Sequence, residues 1–227
     1  MFRLDERLAL CAEFVRDGAR LVDVGTDHAY LPVWLACDGK IKSAVACDVR
    51  PKPLENAKAN IQKYHVENVV STALSDGLDS ISPDLADDIV IAGMGGELIA
   101  KIIMRTQWLR DTDKRLILQP MSRAESLRPL LCENGFHIQQ EKACISANKS
   151  YSVMLCRYDG VKRTCNNIFR YIGLLENDSS FEAKRYIYVI NEKLKKKIKG
   201  FDENSDEYRN LHEIISKFDI LAEGVTL

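Results

Sequence analysis

Apolar positions along the chain follow two rhythms. Through residue 158, short unbroken apolar runs alternate with stretches whose apolar residues recur three and four apart. Arg20–Val24, Ser43–Cys47, Val69–Leu74, Ile89–Ala92 and Arg115–Leu118 predict strands, because a strand buried on both faces reads as a continuous apolar string. Helical spacing fills the intervals: Leu4, Leu8, Cys11, Ala12 and Val15, closed by Gly18; then Pro32–Cys37, Leu54–His65, Leu98–Met104, and Glu125–Glu133, stopped by Gly135. Phe136–Ile145 and Tyr151–Tyr158 face each other across a short polar loop, as in a hairpin. Alternation of this kind implies an α/β fold, a mostly parallel sheet with helices on both faces, here finished by an antiparallel strand pair.

After Tyr158 only the helical rhythm remains. Asn166 predicts a cap for a helix carrying Ile168, Ile172 and Leu175. Ser179 with Glu182, and Asn204 with Glu207, have capping-box spacing. The helices they open carry Ala183, Ile187, Ile190, Leu194 and Ile198 on one stripe, and Tyr208, Leu211, Ile215, Phe218 and Ala222 on the other. Their short link predicts an antiparallel, coiled-coil-like hairpin. Ile214 and Leu221 lie off this seam and leave a second apolar face, so the expected state is a monomer or a weak homodimer. The expected division is 1–160 for the α/β domain and 161–227 for the helical domain.

Composition narrows the function. The chain has 227 residues, with 32 basic and 33 acidic side chains and a formal charge of −1, which excludes a broad basic field and leaves nucleic-acid contact to local patches. Arg3 and Arg7, and the group Lys193, Lys195, Lys196, Lys197 and Lys199, are such patches, although lysines at a helix end also complement its dipole. No apolar run is long enough to span a membrane, and the opening MFRLDERLALCAEF lacks an export signal. Seven cysteines with no CxxC pair argue against a metal site and for reduced thiols in a cytoplasmic chain.

The chemistry gathers at the carboxyl ends of the predicted strands, where open parallel sheets bind ligands. The first strand ends Asp23-Val24-Gly25-Thr26-Asp27-His28, the second in Asp48, the third in Asp76-Gly77, the fourth in Gly93-Met94-Gly95-Gly96 and the fifth in Gln119-Pro120. A lone Asp at a strand end is more often a cap or turn residue; five such ends on one edge carry more weight. Asp48 follows Gly25 at about the interval of a ribose-binding acid. A dinucleotide fingerprint would need glycines where the chain has Asp27 and Tyr30, and there is no GxxxxGK[ST] loop. An acidic edge suits a nucleoside cofactor with a positive centre and no phosphate, and S-adenosylmethionine fits that description.

VDVGTDHAYLP (22–32), SDGL (75–78), IAGMGGELI (91–99) and LILQP (116–120) resemble the bacterial tRNA (adenine(22)-N1)-methyltransferase family. The resemblance covers roughly residues 4–158. It implies a Rossmann-like class I methyltransferase domain with a helical C-terminal domain, S-adenosylmethionine as donor, and N1 of a tRNA D-arm adenine as acceptor. By position it implies cofactor contacts from Asp23, Gly25, Asp27, His28, Asp48, Asp76, Gly77, Gly93, Met94 and Gly95. Asp27, His28 and Tyr30 are expected to line the acceptor side as the catalytic group, with Arg7, Tyr30, Gly96 and Gln119 binding substrate. Met121, where the family usually has Asn, and Ser152, where it usually has an acid, bear on the acceptor more than on the cofactor. Two other classes stay open: a methyltransferase with another acceptor, RNA base or small molecule, and a non-catalytic cofactor- or RNA-binding module.

Overall fold

The computed structural model describes residues 2–225. Seven strands, β1 (Ala19–Val24), β2 (Ile41–Asp48), β3 (Val70–Leu74), β4 (Asp88–Gly95), β5 (Arg115–Ser122), β6 (Phe136–Ser146) and β7 (Lys149–Tyr158), form one sheet in the order β3-β2-β1-β4-β5-β7-β6. The first five run parallel; β7 enters antiparallel to β5 and pairs antiparallel with β6.

The unbroken apolar strings follow from helices covering both faces. Leu21, Val90 and Ile117 pack with α1 (Glu6–Phe14), α2 (Tyr30–Cys37) and α3 (Pro51–Lys63). Their strand neighbours Val22, Ile89, Ile91, Leu116 and Leu118 pack with α4 (Gly96–Arg105) and α5 (Ala124–Glu133) on the other side. Successive side chains of a strand point to opposite faces, so each alternate residue joins a different core.

Helices α6 (Asn167–Ile172), α7 (Phe181–Ile198) and α8 (Asp206–Leu221) build a third apolar cluster around Ile187, Leu194, Leu211 and Phe218. Asn191 bonds Asp219 at 2.8 Å and Lys184 bonds the Glu223 carbonyl at 3.5 Å, so α7 and α8 run antiparallel. Asn166 caps α6, its side chain accepting the Phe169 N–H at 2.7 Å. The other caps are Ser180 and Ser205, one residue beyond Ser179 and Asn204. The side chains of Asp178 and Asp202 first accept the N–H of Ser180 and of Asn204, forming turns that carry the chain one residue further before each helix starts. Ile214 is not spare surface: it is buried in the third cluster, and Leu221 packs against it.

The tail is fastened to the sheet by charge. Arg128 of α5 and Glu141 of β6 are both fully buried, with Nη2 and Oε1 2.6 Å apart. Arg128 Nη1 donates to the carbonyls of Arg170 (3.0 Å) and Tyr171 (2.8 Å), and Nη2 to Tyr186 Oη (3.3 Å) and Ser152 Oγ (3.3 Å). Glu141 Oε2 accepts the Leu174 N–H at 3.2 Å. Gly173 passes so close that a Cβ there would lie 1.8 Å from that oxygen. Among the described residues no helix is long and apolar enough to cross a membrane, and no cluster of His, Cys, Asp and Glu is placed to hold a metal.

Candidate active site

β1 and β4 are neighbours, and their connections leave in opposite directions, so a crevice opens beyond their carboxyl ends. At the end of β1 the chain turns at Gly25, whose φ of +78° favours glycine. The N–H groups of Gly25 and Thr26 both donate to the Cys47 carbonyl, at 2.8 and 3.0 Å, which ties this turn to β2. Thr26 Oγ1 accepts the Ala29 N–H at 3.0 Å and steadies Ala29 in the left-handed region (φ +53°), from which α2 starts. That helix begins at Tyr30, two residues before the predicted start at Pro32; the imino nitrogen of Pro32 falls in the first turn, where N–H groups lack intrahelical partners.

A cavity of about 180 Å³ occupies the crevice, lined by Arg7, Asp23, Gly25, Asp27, His28, Tyr30 and Gly93, among others. Asp23 is only 7% exposed, and burial pushes its carboxyl up to about 6 against the partial relief of a Thr26 hydrogen bond. His28 Nε2 lies 3.3 Å from Asp27 Oδ2. The His28 and Tyr30 rings stack, 5.0 Å apart at 16°, and Tyr30 remains 43% exposed with Phe2 against it. The structure therefore brings together the three expected catalytic residues, and an aromatic surface stands open beside a carboxylate.

Arg7 reaches the cavity from α1. It donates to Asp5 (2.7 Å), Gln119 Oε1 (3.2 Å) and the Met121 sulfur (3.3 Å), and its guanidinium lies 5.4 Å from the centre of the Tyr151 ring. Buried Gln119 shares the same oxygen with the Gly93 N–H, at 3.1 Å. Gln119 thus fixes the backbone of the Gly93 turn (φ +81°), where nothing stands within 4 Å of a hypothetical Cβ.

Other expected residues lie outside the cavity lining. Asp48 ends β2; its Oδ1 accepts the Arg50 N–H at 2.8 Å, and Oδ2 has no protein donor among the described residues. The Asp76 carboxylate is gripped by Arg105 of α4, at 2.8 and 3.2 Å, and that bonding lowers its pKa. Gly77 packs beneath the same guanidinium. Met94 lays its methyl end over Gly25, 2.0 Å from where a Cβ would sit, and Gly95 faces Ser122. Gly96 is not brought to the cavity: a Cβ there would lie 2.4 Å from the Arg123 carbonyl oxygen, so this glycine lets α4 pack on the turn before α5. Sequence reasoning passed over Thr26, Arg105 and Tyr151. Thr26 sits inside the recognised first loop, whereas Arg105 and Tyr151 carry no local mark.

Sheet order, reversed last strand and this crevice define a Rossmann-like methyltransferase. The family model described as "Methyltransferase domain" matches residues 4–154. The chain is 28% identical to a tRNA (adenine(22)-N(1))-methyltransferase of Bacillus subtilis, over 98% of this chain and 97% of that one. It superposes with a TM-score of 0.79 and 32% identity on Sp1610 of Streptococcus pneumoniae, a candidate tRNA (m1A22) methyltransferase solved with S-adenosyl-L-methionine, covering 97% of this chain and 100% of the other. The Bacillus subtilis m1A22 tRNA methyltransferase TrmK superposes at 0.84, with 25% identity over 98% of this chain and 100% of that one. The chain belongs to the tRNA (adenine(22)-N1)-methyltransferase family.

Proposed function

We propose that this chain transfers a methyl group from S-adenosylmethionine to N1 of a D-arm adenine in tRNA, residues 1–160 carrying the reaction and 161–227 assisting with RNA, in the cytoplasm, as a monomer or weak homodimer. The observation that carries the reading is the switch-point cavity, where a buried carboxylate, an open glycine backbone and the Asp27–His28–Tyr30 group meet. The residues present fit the donor. Asp48 offers a free carboxylate oxygen to ribose hydroxyls at the end of β2. Asp23 and Asp27 give the cavity the negative character that a sulfonium and an ammonium group require. When bound, S-adenosylmethionine supplies a methyl group on a positively charged sulfur. Arg105 and Gly77 hold the β3 loop in shape, and Gln119 holds the Gly93 turn.

Neutral adenine presents a lone pair at N1, so the chain needs no strong base to create a nucleophile. Its main task is alignment, which supplies several kcal/mol in well-oriented reactions, on the order of 7 or more. N1 is hidden in a paired stem, so the base must be unpaired or flipped. The exposed face of the His28–Tyr30 stack offers it a wall. Methylation makes the base cationic, and Asp27 stands 3.3 Å from His28 to receive that charge or an N6 proton.

The test is transfer of labelled methyl groups to unmodified bulk tRNA, followed by primer extension, which stops at N1-methyladenine. A single D-arm stop that disappears when Asp27, His28 and Tyr30 are replaced by Asn, Ala and Ala supports the reading. Cofactor binding without transfer to tRNA overturns the acceptor; wild-type rates in the triple variant overturn the residue roles.

A further inference from the structure

A second cleft, of about 470 Å³, opens where the β6–β7 turn meets α7. Three cations line it, Lys149, Arg185 and Lys193, together with Ser150, Tyr151 and Met121; no carboxylate is among its lining residues. The larger neighbouring cleft against α5 differs, because Glu125 and Glu133 stand among its basic residues. Every charged residue of the lining is a cation, which selects for an anion.

The cleft is also built rather than incidental. Ala147 and Asn148 both sit in the left-handed region (φ +46° and +60°) to make the tight turn. Arg185 Nη2 donates to the Asn148 side chain (2.6 Å) and carbonyl (3.2 Å), so the turn and the guanidinium position each other. Arg185 Nε and Ser150 Oγ are buried with no hydrogen-bond partner, although buried polar groups are normally paired. Lys149 and Lys193 are exposed, and no carboxylate of the cleft lining stands beside them. A guanidinium and two ammonium groups, lining one cleft with no carboxylate, match the charge of a phosphate.

The position is informative as well. Met121 and Tyr151, which line this cleft, are among the residues that contact Arg7, and Arg7 lines the switch-point cavity. Arg7 therefore connects the two sites.

We propose that Lys149, Arg185 and Lys193 form a phosphodiester subsite for RNA backbone next to the methylated nucleotide. The proposal rests on the tRNA reading above and deepens it. It also explains how a chain of net charge −1 holds a polyanion, since the cations are concentrated beside the site.

The experiment measures binding of a fluorescent D-arm stem-loop RNA to the full chain by anisotropy, across a salt series. Variants are Lys149→Gln with Lys193→Gln, Arg185→Gln and Arg185→Lys, with Lys42→Gln of β2, outside the cleft, as a charge control. S-adenosylmethionine affinity, measured on each, reports an intact fold. The double lysine variant and Arg185→Gln are expected to weaken RNA binding roughly tenfold and to flatten the slope of log Kd against log salt by about 0.7–0.9 per lost contact. Arg185→Lys is expected to restore most of the slope, and Lys42→Gln to change neither quantity. RNA affinity and salt slope equal to wild type in the double lysine variant, with cofactor binding retained, overturns the proposal even if Arg185→Gln misfolds. Because the readout is binding, absence of methyl transfer by the wild type counts against the proposed reaction and leaves this result readable.

Discussion

Replacement of Asp23 by Asn isolates one buried carboxyl. In the fold this group titrates near pH 6, against 3.8 in the free chain, because it is cut off from water at the end of β1. Between those values the native state keeps a proton that the unfolded chain has released. Its contribution therefore runs opposite to that of a paired carboxylate: stability falls as pH rises from about 4 to about 6, and the loss is complete above that range. Linkage gives a loss of about 1.5 kcal/mol at pH 5 and about 3 kcal/mol at pH 7. Asp87 and Asp159 have the other sign, held near 2 by hydrogen bonds from Arg20 and Arg163, and their contributions disappear only as pH falls toward that value. Urea unfolding of wild type and Asp23→Asn from about pH 4.5 to about pH 7.5 separates the two, since all other groups cancel in the difference. The variant is expected to gain about 2 kcal/mol on wild type across that range. A flat difference curve refutes the reasoning. The raised value also predicts that a cationic ligand beside Asp23 expels a proton near pH 6, which calorimetry in two buffers reads directly.

Two further outcomes follow from burial. Arg128→Met and Glu141→Leu are each expected to cost about 3–5 kcal/mol, lowering Tm by roughly 6 °C or more, while the double variant costs less than their sum; additive thermal melts would contradict the coupling drawn between them. Ellman's reagent is expected to label exposed Cys37 at once and buried Cys11, Cys47, Cys144 and Cys156 only on unfolding, burial having pushed the Cys47 and Cys144 thiols up to about 12; rapid labelling of any buried thiol contradicts it.

The first loop was legible because its chemistry is local. Asp23, Asp27, His28 and Tyr30 lie within eight residues, and one turn plus one helix start delivers them to the same cavity. Strands β1, β2, β4 and β5 were legible because two covered faces leave no polar alternation to misread. Their extent was not: β4 and β5 continue past the apolar runs through irregular pairs, Met94 with Pro120 and Gly95 with Ser122. Bonds between side chains far apart along the chain were not legible. Arg7 stood out beside Arg3 as a candidate contact, but its bond to Gln119 across 112 positions did not, and Arg105, which finds Asp76 across 29, has nothing in its neighbourhood that marks it. Gly96 shows the converse, since a glycine serving close packing reads the same as one making room for a ligand.

The buried guanidinium of Arg128 also decides how the chain can be divided. Its carbonyl partners at Arg170 and Tyr171 come from beyond Gly160, while its carboxylate partner comes from the sheet's edge strand. A fragment ending at Gly160 would keep the Arg128–Glu141 pair but lose the Arg170 and Tyr171 carbonyls and the Tyr186 hydroxyl that complete its bonding, and would bare the face on which α7 rests. A protease that nicks the connecting residues 159–166 would leave both pieces assembled, migrating as one particle until denatured. The helices, with a core of their own, thus close over the outer strands of the sheet, and evolution or engineering can exchange them only together with Arg128 and Glu141.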